Sequence, residues 1–298
     1  MESDAITSSA PPKGCSAAPV DRLISYYDIF LTGMFTFAFA VPLLIAPAFF
    51  FGPPSPLMYW KVWAAEDEMT GRGVATQFIS LTFVGYFLHG TAGFTKQMTV
   101  FNIGISALFC LPPFLGTQGD VVTWYPQLAL AVVLVSLGVY FEVIGATGSW
   151  TPKFSMLSPI GLNVATLNAF NLVFFGPLLP GFLYDVNLFW GPNGFLGPIG
   201  LSLFLEDFPE PGFWFHKVWA ILIFCQITGP YLFGLEPLQV AKQFAVSNFL
   251  GALLFTYQFI ISGILNPLTL GPVVVTQFAL SGVGLYLALP ANSGVPMF

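Results

Sequence analysis

Apolar residues in this chain run in long blocks, broken by short stretches that hold Pro, Gly or charge. A helix needs about 20 apolar residues to cross a hydrocarbon core of roughly 30 Å. Eight blocks meet or approach that length: 27–51, 73–94, 98–115, 127–147, 161–184, 217–235, 243–265 and 271–290. The third is short and stops at Pro112-Pro113. Membrane barrel strands would alternate apolar and polar residues in segments of roughly 10, whereas residues 129–141 (ALAVVLVSLGVYF) are apolar at both parities. A helix also pairs its own backbone groups, each costing several kcal/mol if left bare in lipid. The pattern predicts an all-α integral membrane protein with about eight transmembrane helices.

The blocks are not independent of one another. Lys96-Gln97-Met98-Thr99-Val100-Phe101-Asn102 matches Lys242-Gln243-Phe244-Ala245-Val246-Ser247-Asn248 as KQxxVxN, 146 positions later. Without a gap, 96–140 against 242–286 gives 11 identities in 45 positions, among them Leu108-Phe109 with Leu254-Phe255 and Gly138/Tyr140 with Gly284/Tyr286. Earlier stretches match in the same order with shifts: Pro42-Leu43-Leu44 with Pro177-Leu178-Leu179, Phe51-Gly52-Pro53 with Trp190-Gly191-Pro192, and KVWA at 61–64 with KVWA at 217–220. An internal repeat outranks other signals in assigning architecture. The expected organisation is a polar, disordered tail (1–26), a first four-helix unit (27–147), a linker (148–160), a second four-helix unit (161–290) and a short C-terminal tail (291–298). Four crossings per unit is an even number, so the units would be parallel repeats about an axis along the membrane normal. The second unit carries an insert, 185–215, whose stretch 197–205 is apolar but too short to span and is expected to be interfacial or re-entrant.

Composition agrees with a lipid environment. Of 298 residues, 56% are hydrophobic and 7% charged, against roughly 25% charged in soluble domains, and the mean hydropathy is +0.80. A net charge of −6 speaks against nucleic acid, which is held by Lys and Arg on phosphates. The N-terminal 20 residues have neither the apolar core of a secretory signal nor the Arg of a transit peptide. With eight crossings both termini share a side, which holds Lys13, Arg22, Lys96, Lys153 and Lys242, against Lys61, Arg72 and Lys217 opposite. The positive-inside rule then puts the termini on the cytoplasmic, stromal or matrix side. The opposite side gathers Glu66, Asp67, Glu68, Asp120, Asp185, Glu206, Asp207 and Glu210 in acidic loops expected to be hydrated.

Chemistry-bearing residues are few. The two histidines, His89 and His216, fall in opposite leaflets roughly 25 Å apart along the helix direction, so one haem cannot use both. A multi-histidine di-iron centre is excluded by number. Cys15, Cys110 and Cys225 form no CxxC pair, and no GxxxxGK[ST], GxSxG or HExxH occurs. Neither a metal site nor a cofactor is expected, although a bound lipid or pigment stays open. Ionisable groups inside spans are functional by default, which singles out Asp28, His89 and Glu142 as a possible relay. All three lie near span ends, where reaching water is cheap. Lys96 and Lys242 are expected to snorkel, with Asn102 and Asn248 roughly 9 Å deeper. Gln97, Gln243, Asn102 and Asn248 are therefore candidate binding or helix-pairing residues facing the bundle interior. Asn163, Asn168 and Asn171 add polar candidates on the fifth segment. Trp60, Lys61 and Trp63, with Trp214, Lys217 and Trp219, combine rings and ammonium groups just before spans and are expected to be interfacial anchors.

The duplicated four-helix plan is similar to that of small four-helix membrane families such as the DoxX-like proteins, a likeness of topology that carries no residue roles. With no catalytic constellation and 34 Phe, the sequence fits a non-enzymatic accessory or scaffold subunit of a larger membrane assembly, packing lipids, pigments or partner helices. The alternative is a small-solute or ion transporter with its site between the repeats near Asn102 and Asn248. A lipid-directed enzyme using Glu142 or the acidic loops as base stands third.

Overall fold

The computed structural model describes residues 19–53, 63–86, 92–109, 121–144, 162–208, 210–235 and 237–289. The described residues are helical apart from loops and one isolated bridge, and each of the eight apolar blocks carries helix. Four helical stretches are long and apolar enough to cross a membrane: Asp21–Ile45, Val164–Tyr184, Leu238–Ser262 and Pro267–Ala288. Leu128–Phe141 and Trp214–Ile227 are apolar but shorter. Outward-facing side chains such as Phe37, Val173, Ile260 and Leu268 are each more than 70% exposed. Such a coat of large apolar groups is that of a membrane protein.

The first stretch is α1 (Pro19–Gly33), a π-helical segment Met34–Ala40, α2 (Val41–Ile45) and α3 (Pro47–Phe51). Pro42 lacks the amide that would bond the preceding turn, and the widened π segment directly before it absorbs the mismatch. α1 begins within the stretch assigned to the polar tail, and Ile24 is already buried. A Pro at its start and Asp21 in its first turn suit a helix N-terminus.

The second block shows the largest correction. α4 (Ala65–Phe78) starts well before position 73, continues through π-helical Ile79–Phe83 and ends as α5 (Val84–Tyr86). Glu66, Asp67 and Glu68 are its first turn rather than a hydrated loop, with Glu66 8% and Asp67 0% exposed. The Ala64 amide donates to Asp67 Oδ2 at 2.8 Å, and carboxylates are favoured against the exposed amides of a helix start. Charge patterning marked a loop where the chain builds a cap.

α6 (Ala92–Phe109) and α7 (Val121–Ile144) follow. Pro112-Pro113 lie outside the described residues. In the second half α8 (Val164–Phe175) starts at an N-cap, where Asn163 Oδ1 accepts from the Thr166 amide at 2.9 Å. It runs through a 3-10 turn into α9 (Leu179–Tyr184). α10 (Asn187–Trp190) opens the insert, and α11 (Glu210–Ile227) and α12 (Pro237–Ser262) follow. Gly263, with φ +66°, allows the left-handed turn that ends α12. Asn266 then caps α13 (Pro267–Ala288), accepting from the Leu268 amide at 3.1 Å.

Small residues set the closest helix contacts. Gly284 of α13 lies on α12, where an added Cβ would sit 3.0 Å from Ala245 Cβ. Gly138 of α7 makes the same approach to α6, against Thr99. The positions pair at the 146-residue offset. Close backbone approach at small residues is how helices associate in lipid.

The insert is a strap, not a span. Leu205 N donates to Ile264 O at 3.1 Å and Asn266 N to Leu203 O at 2.9 Å, tying the strap to the α12–α13 turn. Asn187 clamps its far end, accepting from Phe208 N at 2.8 Å. Leu203, Phe204 and Phe208 are buried while Glu206 and Asp207 stay exposed.

Candidate functional site

Two cavities lie inside the helix bundle. The first is about 60 Å³, lined by the π-helical segment Met34–Ala40, α2, α3, α4, α6 and α7 and closed by Trp214, Phe215 and Val218 of α11. The second is about 260 Å³, lined by α8, α9, the strap, α11, α12 and α13 and closed by Met69 and Thr70 of α4. Asn102 lines the first and Asn248 the second. Each asparagine Nδ2 donates to the carbonyl one turn back, Met98 O and Phe244 O respectively, both at 2.9 Å. The two asparagines therefore occupy separate cavities rather than one shared pocket.

The small cavity is closed by rings. Phe35 stacks on Phe78 with centroids 5.4 Å apart, and Phe101 meets both edge-on at 5.5 and 5.3 Å. Its lining is apolar except for Asn102. The large cavity has aromatic walls, including Phe182, Trp190, Phe204 and Trp219, and a polar group formed by Asn248, Thr276 and Gln277. His216, 1% exposed, forms part of its wall, with its ring 4.7 Å from Phe208 and 5.7 Å from Phe182. Gln277 Oε1 is buried without a hydrogen-bond partner. Gly251 makes room for that amide: a Cβ there would lie 3.1 Å from Gln277 Nε2.

A polar seam runs where α4 meets α11 and α12. Gln77 Nε2 donates to Gln226 Oε1, Ser247 Oγ donates to Gln77 Oε1, and Gln226 Nε2 reaches Ser80 Oγ at 3.5 Å. Gln97 Nε2 donates to Cys225 O at 2.8 Å, tying α6 to α11. Gln97 and Gln243 are both fully buried, but neither end of the Gln243 amide has a hydrogen-bond partner. Arg72 joins three elements near the opposite end of α4. Its Nε donates to Leu44 O at 3.1 Å, and its Nη1 donates to Gln258 Oε1 at 3.2 Å and lies 3.2 Å from Glu68.

The other sequence candidates divide. Asp28 is fully buried and accepts from Thr95 Oγ1 at 3.0 and 3.2 Å. Lys96 is only 5% exposed, so it sits inside the protein rather than at an outer rim. His89, Trp60 and Lys61 lie outside the described residues, as does the side chain of Glu142. Trp63, Trp214 and Trp219 are half-buried; Trp63 meets Phe215 edge-on at 5.8 Å, and Trp219 lines the large cavity. Lys217 donates to Leu183 O and Tyr184 O, the last carbonyls of α9. That ammonium caps a helix C-terminus. Asn171 is buried with neither amide atom bonded, and Asn163 is a cap.

Gln77, Gln226, Thr276 and Gln277 escaped the sequence analysis. Each is a lone amide or hydroxyl in an apolar run, which was the available signal. Gln77 and Gln226 stand 149 positions apart, so the gap-free comparison does not align them. Among the described residues no three His, Cys, Asp or Glu side chains come together as a metal site. No family model, curated protein or solved structure matches the chain.

Proposed function

We propose that the chain is a non-enzymatic membrane protein of eight helices in two parallel four-helix units, serving as an accessory subunit of a membrane assembly and packing lipid-type molecules. The observation that supports it best is the correspondence of the two cavities. At the 146-residue offset Asn102 pairs with Asn248, Leu134 with Leu280 and Gly138 with Gly284. Both asparagines make the same bond to their own helix, and each cavity is walled on one side by the other half's long second helix. A duplicated unit explains those equivalences together. The difference in volume supports a packing role, since one pocket is nearly filled by the protein's own rings and the other is left for something else.

A transport site between the halves has less support. The polar groups at that boundary, Gln77, Gln226 and Ser247, bond one another, which leaves little capacity for a hydrated solute. Purification from native membranes, with mass spectrometry of the co-purifying chains, tests the accessory role: associated membrane subunits are expected, and a lone monomer overturns it. Labelling of both termini tests the architecture, with both expected on one side. Opposite sides would end the parallel-repeat scheme.

A further inference from the structure

We infer that the larger cavity is a binding site for a neutral, ring-headed membrane lipid, one whose ring bears a carbonyl or hydroxyl oxygen and whose apolar tail lies in the bilayer. This deepens the lipid-packing role proposed above and rests on it.

Five features converge on that ligand. No Asp, Glu, Lys or Arg lines the cavity. His216 is also in the lining, but an ionised head buried there would find no Asp, Glu, Lys or Arg as countercharge, which is heavily penalised, so a neutral head is favoured over a fatty acid or a phospholipid. The polar lining is sparse, with Asn248, Thr276 and Gln277 on α12 and α13, Thr70 on α4 and His216 on α11. Gln277 Oε1 is buried and unsatisfied, and an amide at that place accepts from a hydroxyl or, turned over, donates to a carbonyl. Phe182, Trp190, Phe204 and Trp219 also line the cavity, a surface suited to a flat ring.

Size and depth narrow the class further. About 260 Å³ exceeds the roughly 150 Å³ of a cavity that takes benzene. It falls below the roughly 300–1,000 Å³ of pockets that swallow a whole drug-sized ligand. A substituted ring fits and a complete lipid does not. The tail has a way out, because Phe174 of α8 and Thr276 of α13 are both cavity-lining and exposed on the protein's apolar flank. Gln277 lies ten residues into α13, about 15 Å along a helix, near the middle of a hydrocarbon core of roughly 30 Å. Neutral rings reach that depth; charged and zwitterionic heads stay at the surface.

The two halves differ at the positions that make the site. At the 146-residue offset Leu130, Ala131 and Ile105 correspond to Thr276, Gln277 and Gly251. One change supplies a hydroxyl, one an amide, and the third removes the side chain that would displace that amide. Two of the substitutions add polar groups to the pocket and the third makes room for the added amide.

The test is a titration of the full chain, purified in neutral detergent, with a decyl-substituted benzoquinone, read by quenching of tryptophan fluorescence. Trp190 and Trp219 line the wall and report on a bound quinone ring. Saturable quenching is expected, undisplaced by oleate. Thr276→Phe, at the exposed mouth, should abolish the saturable part with the melting temperature unchanged. Gln277→Leu should weaken binding about fivefold, the loss of one neutral hydrogen bond, whereas Leu130→Phe at the matching position of the first half should leave it as it was. Quenching that never saturates, or the same midpoint in wild type, Thr276→Phe and Gln277→Leu, overturns the site. Oleate competing as well as the quinone overturns the neutral-head assignment. A lone monomer from native membranes would sink the accessory role without touching this titration, so the two failures are distinguishable.

Discussion

The two halves of the molecule answer the same packing problem differently. In the first, Phe101 points into the bundle and completes a three-ring plug with Phe35 and Phe78. In the second, the matching position on α12 is Ser247, whose hydroxyl is given to Gln77 in the polar seam. The first half keeps a cavity of about 60 Å³ and the second one of about 260 Å³. A single register position thus serves as core filler on one side and as helix-to-helix tie on the other.

The plug supplies the sharpest way to break this contrast. Phe101→Ala removes a ring that is 1% exposed and takes the edge-on partner from both Phe35 and Phe78. A destabilisation of about 3–5 kcal/mol is expected for a buried Phe, measured as unfolding free energy in mixed micelles. Ser247→Ala should cost far less, since it deletes one hydroxyl. Equal losses would show that the plug carries no special weight.

Next in size are the close approaches. Gly138→Val must push Thr99 away, whereas Gly284→Val meets Ala245 at a separation that can partly relax. Overpacking costs about 1–3 kcal/mol, and Gly138 should fall at the upper end with Gly284 below it. Thermal unfolding of both variants ranks them. The reverse order would contradict the packing described for α6 on α7.

The seam sharpens the comparison from the other direction. Gln77→Leu leaves Gln226 and Ser247 with buried groups unpaired, a loss of about 1–3 kcal/mol. Adding Gln226→Leu removes one orphan, so the double variant should recover part of it. Additivity of the two single losses in a double-mutant cycle would mean that these amides do not interact.

Much of this architecture was legible in the sequence, for a physical reason. A bilayer imposes one dominant constraint, so the eight apolar blocks all carry helix. What failed was anything decided by local capping or by registration. Glu66 and Asp67 read as loop charges because ionised groups are usually solvated, but both are buried in the first turn of α4, where Asp67 accepts from the Ala64 amide. The strap's apolar stretch was visible in the sequence, but its backbone bonds to the α12–α13 turn were not. Asn102 and Asn248 were found because their helices align without gaps. Gln77 and Gln226 were missed because they stand 149 positions apart and the gap-free comparison does not align them. The room for the Gln277 amide depends on Gly251, an absence of side chain that no polarity scan registers.

The smallest effect concerns the KVWA segment, read as an interfacial anchor. In the second half its lysine, Lys217, bonds the terminal carbonyls of α9, so it works as a C-cap. A cation at a helix C-terminus contributes about 0.3–1 kcal/mol, screened by salt where it is exposed. Lys217→Met keeps the aliphatic stem and removes only the charge and the donor. The expected loss lies within that range, shrinks as salt is raised, and leaves the quinone titration unchanged, because Lys217 is not among the residues lining the cavity. A salt-independent loss would assign the stem, not the ammonium, to the stabilisation, and Lys217 would then be a packing residue with an incidental charge.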